Sequence, residues 1–216
     1  MNCPLCLTTA KYFTTGENRQ YFLCGLCELI FVPPEFHVPA ESERDRYLEH
    51  ENSLESEGYV AMFMDKINLV KKHCPQIKTA LDFGCGYEPV LKTLLEREGI
   101  ETEIYDLNFF PNLPANKTYD LVISTETFEH FKKPKQDIQE VANCVTPSGF
   151  LAVMTRFYPL IKENSDEFAK WYYQRDPTHI AFYTSKTFQW IAQDMGFQVV
   201  LDNKFDFVLL KKSSLL

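Results

Sequence analysis

The chain has 216 residues, 45% of them hydrophobic and 14% aromatic, with a net charge of −8. That composition suits one domain with an appendage and excludes a disordered or low-complexity protein. It holds no apolar run of about 18 residues that would span a membrane, and its acidic balance disfavours nucleic acid, which calls for a basic face.

Met1-Asn2-Cys3-Pro4 offers neither the basic nor the apolar region of a secretion signal. The seven cysteines are an odd count, and four of them stand in a pattern that suits metal, so a reducing cytoplasm is the expected compartment. Those four are Cys3, Cys6, Cys24 and Cys27, spaced as two CxxC knuckles. Two residues between thiols let one tight turn aim both sulfurs at a tetrahedral ion, and two such turns close a four-cysteine zinc site. The competing readings are a redox dithiol pair and unligated cysteines. Tyr12-Phe13 and Tyr21-Phe22-Leu23 read as the ribbon strands between the knuckles. So short a segment has no core of its own, and the metal would supply its folding energy. Cys74, Cys85 and Cys144 are scattered and read as small packed residues.

Three regions follow from this: a zinc-ribbon head over 1–40, an acidic arm and helix over 41–74, and an α/β domain over 75–216. Residues 41–57 carry a net charge of −5 and predict a solvated helix or arm. Val60, Phe63, Ile67 and Val70 fall on one face of a helix. From there strands are predicted over 79–83, 100–107, 119–124 and 150–155, with helices over 89–98 and 137–144 between them. Ser185 is expected to cap a helix ending at Met195, and two closely spaced strands over 197–201 and 205–211 end the chain. Strands alternating with helices imply a doubly wound, mostly parallel sheet, and the final pair implies one antiparallel strand near an edge.

Leu81-Asp82-Phe83-Gly84-Cys85-Gly86-Tyr87 follows a strand and precedes a helix, where such a sheet binds nucleotide-like ligands. It is not the dinucleotide fingerprint, because the third glycine would fall at position 89, which is Pro89. Asp82 would repel a pyrophosphate but accept from an amine. Asp106 ends the next strand, where a carboxylate takes ribose hydroxyls. A ribose, an amine and no pyrophosphate together describe S-adenosylmethionine.

The motifs Asp82-Phe-Gly84-Cys85-Gly86, Tyr105-Asp106-Leu107, Tyr119 to His130, and Val145-Thr-Pro147-Ser-Gly149-Phe150 stand in order and spacing over 75–211. In them the chain resembles the class I S-adenosylmethionine-dependent methyltransferases, and its head and tail resemble the small-molecule type with an N-terminal four-cysteine zinc ribbon. The resemblance implies a Rossmann-like sheet and a cofactor site on Asp82, Gly84, Cys85, Gly86, Asp106, Leu107, Thr125 and Glu126. Two departures stand out. Glu88 occupies the place of the family's third loop glycine. Between Asp106 and Tyr119 there is no room for the usual helix and strand, so the third strand is expected to be lost or vestigial.

Three residues are candidates for acceptor chemistry: His130, His179 and Tyr183. His130 after Glu129 is a motif that is mostly structural in the family. His179 and Tyr183 lie in the 156–183 segment with Arg156, Tyr158, Trp171, Arg175 and Asp176. That segment leaves the sheet at its carboxyl edge, so it and the head are both expected to wall one pocket. The expected function is methyl transfer to a small-molecule acceptor. One alternative is an RNA methyltransferase, which the head's Lys11 and Arg19 against Glu17, Glu28 and Glu35 do not favour. Another is a non-catalytic cofactor-binding or interaction module. Nothing in the sequence sets the oligomeric state.

Overall fold

The protein's structure is a computed structural model that describes residues 1–48, 53–74, 76–113, 116–158 and 165–214. Glu49 and Glu51 of the acidic run, Pro114 of the short loop, and positions 159–164 of the 156–183 segment lie outside the described residues.

The head holds β1 (Ala10–Gly16), β2 (Arg19–Cys24) and β3 (Ile30–Phe31). Then come α1 (Ala40–Leu48), α2 (Glu57–His73), β4 (Thr79–Phe83), α3 (Val90–Arg97), β5 (Glu101–Tyr105) and β6 (Tyr119–Thr125). The chain continues through α4 (Pro134–Asn143), β7 (Val145–Met154), α5 (Ser165–Lys170), β8 (Ala181–Phe182), α6 (Ser185–Asp194), β9 (Phe197–Asp202) and β10 (Phe207–Lys212). The main sheet runs β5-β4-β6-β7-β10-β9. Its first three pairings are parallel, and β10 is antiparallel to both β7 and β9. The chain thus builds the expected mostly parallel sheet with one antiparallel strand next to an edge. Among the described residues no strand pairs beyond β5, and those after Asp106 turn back through an Asp106–Phe110 bridge.

Both faces of the sheet are covered. Phe63, Ile67 and Val70 of α2 and Leu91, Leu94 and Leu95 of α3 pack on one face; Ile138 and Val141 of α4 and Phe188 and Ile191 of α6 pack on the other. Leu121, Val122, Ile123 and Ser124 of β6 are all buried, as a central strand covered on both sides requires.

Boundaries shifted where a turn residue took a different place from the one expected. The last α-helix is capped by Thr184, not Ser185: the Thr184 and Thr187 hydroxyls each accept the other's backbone N–H, at 3.2 and 3.1 Å. α4 starts at Pro134, whose missing N–H costs nothing in a first turn. β7 starts at Val145, because the Pro147-Ser148-Gly149 turn bulges within the strand between the Tyr119–Val145 and Leu121–Phe150 pairs.

A second sheet, β1-β2-β3-β8, joins the head to a strand far along the chain. Ile30 pairs with Phe182 and Phe31 with Ala181. Tyr21, Ile30, Phe168, Tyr173 and Phe182 form a core beneath it, while Cys3, Leu5 and Leu29 are buried in the same core as β4, β6 and β7. The aromatic run at 171–173 thus supplies core at Tyr173 and leaves Tyr172 at the surface. Positions 41–48 of the acidic run lie in α1, which buries no residue.

Candidate active site

A cavity of about 660 Å³ opens at the carboxyl ends of β4, β5 and β6, below α1 and α2. Asp82, Gly84, Cys85, Gly86, Asp106, Leu107, Thr125 and Glu126 all line it. The β4–α3 turn brings the backbone close because Gly84 and Gly86 sit at φ +84° and +70°. A Cβ on Gly84 would collide with the Thr127 side chain. Gly84→Ala is therefore expected to destabilise the fold by about 2–4 kcal/mol, from left-handed strain plus overpacking. Urea unfolding midpoints of the two proteins check this. Glu88 is not among the residues at positive φ, so the turn accepts a side chain there.

Two carboxylates face each other across this turn. Asp82 is 1% exposed, and its Oδ1 has no hydrogen-bond partner among the described residues. Burial, and then the neighbouring Asp106, push its carboxyl up to about 7. Asp106 is anchored: Oδ2 accepts from Gly86 N at 3.1 Å, and Oδ1 from Asn108 N at 2.8 Å and Phe109 N at 3.2 Å. A carboxylate has about four acceptor sites, so Oδ2 retains capacity for a further donor.

A second, buried polar group stands behind Glu126. Tyr173 Oη meets Glu129, Glu126 Oε2 (3.1 Å) and Thr155 Oγ1 (3.2 Å). One phenol has one proton to donate, and it cannot serve both carboxylates. Burial raises the pKa of both carboxyls, most of all that of Glu129, which is fully buried and lies beside Glu126. Glu126 counts as an exposed residue by surface area, yet its carboxyl turns inward to Tyr173 and the cavity wall. Glu129 Oε2 has no hydrogen-bond partner among the described residues.

His130 and His179 both line the cavity, with ring centroids 4.9 Å apart. His130 Nδ1 pairs with the Thr178 carbonyl at 3.1 Å, and His179 Nδ1 with the Tyr173 carbonyl at 2.7 Å. One donor atom each of Glu129, His130 and His179 lie within 4.8 Å of one another. Burial, reinforced by His130, lowers the His179 pKa to about 3. So weak a base has little drive to take a proton at neutral pH, and His179 suits a hydrogen-bond acceptor better than a general base.

Two expectations are corrected. Tyr183 is fully buried, donates its hydroxyl to the Phe128 carbonyl at 3.0 Å, stacks on Phe188 and does not line the cavity. It is a core residue. Of the head, only its last residue, Ala40, is among the described residues of the cavity wall, followed by Glu43 and Tyr47 of α1. Of the described part of the 156–183 segment, only Asp176 and His179 reach the cavity. Ion pairs Lys132–Glu43 (2.6 Å) and Arg46–Asp176 (3.2 Å) tie α1 to the rim.

The sequence reading did not single out Tyr47 and Tyr59. Tyr59 stands four residues before Phe63 on the apolar face of α2, a signal that was available. Tyr47, on a charged helix, gave none.

The four head sulfurs lie within 4.8 Å of one another. Cys3–Cys27 and Cys6–Cys24 are 3.6 and 3.3 Å apart, far beyond a disulfide's ~2.05 Å. A zinc tetrahedron with Zn–S bonds of about 2.3 Å has sulfur–sulfur edges of about 3.7 Å, so the donor set fits the ion. Among the described residues, no helix is long and apolar enough to cross a membrane.

A glycine turn and two acidic strand ends opening on one crevice of a doubly wound sheet define a Rossmann-like domain with its ligand site at the carboxyl ends of the strands. The model of the methyltransferase-domain family matches residues 47–202, and the chain belongs to that family as an S-adenosylmethionine-dependent methyltransferase. Among solved structures it is similar to an O-methyltransferase family protein from Burkholderia thailandensis, with TM-score 0.55 and 14% identity over 81% of this chain and 61% of that one. It is also similar to magnesium protoporphyrin IX methyltransferase from Synechocystis PCC 6803, solved with bound S-adenosylhomocysteine, with TM-score 0.52 and 14% identity over 80% and 94%. A sequence search of curated proteins finds no match.

Proposed function

We propose that the cavity seats S-adenosylmethionine on the 82–88 turn and Asp106, and presents its methyl to a small-molecule acceptor beside His130 and His179. The observation that carries this is the buried Asp82, a residue of the cavity wall whose Oδ1 has no hydrogen-bond partner among the described residues, with the anchored Asp106 on the same wall at the end of the neighbouring strand. A buried carboxylate without a donor is costly, and a ligand ammonium would supply one. Asp106 would take the ribose hydroxyls through the open side of Oδ2. Cys85, Leu107, Thr125 and Glu126 would close around the ligand, as their place on the wall suggests.

The cofactor, when bound, supplies a methyl that its sulfonium already makes electrophilic. The chain's part is to align the acceptor and exclude water. Tyr47, Tyr59 and Phe63 offer an apolar cover, and His130 is placed to take a proton from an O or N acceptor. The buried Arg19 leaves the head with still less basic surface, which weighs further against RNA. The four head cysteines would hold a structural zinc, a state that suits a reducing, cytoplasmic setting.

The test is Asp106→Ala. Losing a charged hydrogen-bond partner should weaken S-adenosylmethionine binding by about 1.5–3 kcal/mol, tenfold to a hundredfold. Unchanged affinity in a folded variant would remove Asp106 from the ribose.

A further inference from the structure

Arg19 opens β2 and is only 7% exposed, although neither it nor any residue of β1–β3 lines the cavity. Its guanidinium points at the segment beneath β8. Nη1 donates to the carbonyls of Pro177 (2.9 Å) and His179 (3.1 Å), and Nη2 to those of Asp176 (3.1 Å) and Gln174. Four carbonyls from six successive residues thus converge on one planar fork. Carbonyl dipoles aimed at one point repel one another unless a cation sits there, and Arg alone offers five donors in a rigid plane.

The same stretch is fixed to the head at two further places. Tyr21 Oη donates to Gln174 Oε1, and Val32 N donates to the Ile180 carbonyl at 2.9 Å. On its other side the stretch faces the cavity. Asp176 Oδ1 accepts from Thr178 N (2.9 Å) and Thr178 Oγ1 (2.6 Å), and His179 Nδ1 is held on the Tyr173 carbonyl.

We propose that Arg19 is a positioning residue for methyl transfer: by gathering the 174–179 carbonyls it sets where His179 and Asp176 stand in the acceptor half of the cavity. The β1–β3 part of the head thereby shapes the active site without entering it. The cofactor half, built on β4, β5 and the 84–88 turn, does not depend on Arg19. The proposal rests on the methyltransferase reading, but its test does not require a known acceptor.

The test is nitrogen NMR of the His179 ring in the full-length protein, alongside calorimetry with S-adenosylmethionine. In the unmodified protein the His179 Nδ1 proton should be protected from solvent by the Tyr173 carbonyl. In Arg19→Lys, which keeps the charge but not the fork, that proton should exchange at least tenfold faster while cofactor affinity stays within twofold. In Arg19→Ala, millimolar guanidinium should restore the protected signal, a rescue that a general packing defect would not show. A folded Arg19→Lys with unchanged His179 protection, or a folded Arg19→Ala deaf to guanidinium, would overturn the proposal. Native-state hydrogen exchange of the unmodified protein tests it without a variant. The amides of Tyr21, Thr178, His179 and Ile180 should open together with one denaturant dependence, and separate openings would overturn it. Failure of the unmodified protein to bind S-adenosylmethionine would instead contradict the methyltransferase reading, and is read apart from the His179 signal.

Discussion

Removal of metal is expected to dismantle the head. One zinc per chain on Cys3, Cys6, Cys24 and Cys27 would contribute apparent folding energy on the order of 10–16 kcal/mol at neutral pH, as in other four-ligand zinc modules. The head has little else to hold its knuckles. Leu5 and Leu29 flank the CxxC turns and are fully buried, so displacement of the turns on metal loss should expose them. The damage should spread, since β3 carries β8 and the same core seats Cys3 and Leu29 against the main sheet. Elemental analysis should find one zinc. Chelation or Cys24→Ser should then lower the melting temperature by many degrees and expose the 172–182 stretch to protease. A metal-free protein with four freely titrating thiols and an unchanged melting curve would contradict the assignment.

The second large effect belongs to Asp82. Its folded pKa of about 7 lies above the unfolded value near 3.9. Between those values the folded protein binds more protons than the unfolded chain, so stability without ligand should fall as pH rises from 4 through 7. The loss is on the order of 4 kcal/mol in all. Cofactor binding should run the opposite way. An ammonium on Oδ1 requires the ionised carboxylate, so affinity should weaken by about tenfold per pH unit below 7, some hundredfold by pH 5. Asp82→Asn should bind more weakly at pH 7.5 and flatten both profiles. Calorimetry across a pH series reads the first, and urea unfolding at each pH reads the second. A flat affinity profile in the unmodified protein would remove Asp82 from the amine.

The cofactor half of the crevice was legible because its residues are local. Asp82, Gly84 and Gly86 share one strand–turn–helix unit, and Asp106 ends the strand after the next helix, so spacing alone places them together. The lost third strand was legible for the same reason: too few residues separate Asp106 from Tyr119. The acceptor half was not, because it is assembled by long-range pairing. β8 is two residues long and carries no periodicity, yet it fixes 172–182 against the head. Tyr183 read as a site residue from its neighbours in sequence, but just past β8 its ring stacks on Phe188 and its hydroxyl is spent on the Phe128 carbonyl, contacts that no local pattern reveals. Arg19 read as a surface charge of the ribbon, and nothing local reveals the four carbonyls that bury it.

The most direct measurement of the central claim is a crystal structure of the protein with S-adenosylhomocysteine. The ribose hydroxyls should lie on Asp106, the ammonium within hydrogen-bond reach of Asp82 Oδ1, and the sulfur on the side of the cavity that His130 and His179 line. A ligand seated elsewhere, or seated in the cavity with its amine turned away from Asp82 and its ribose away from Asp106, would contradict it.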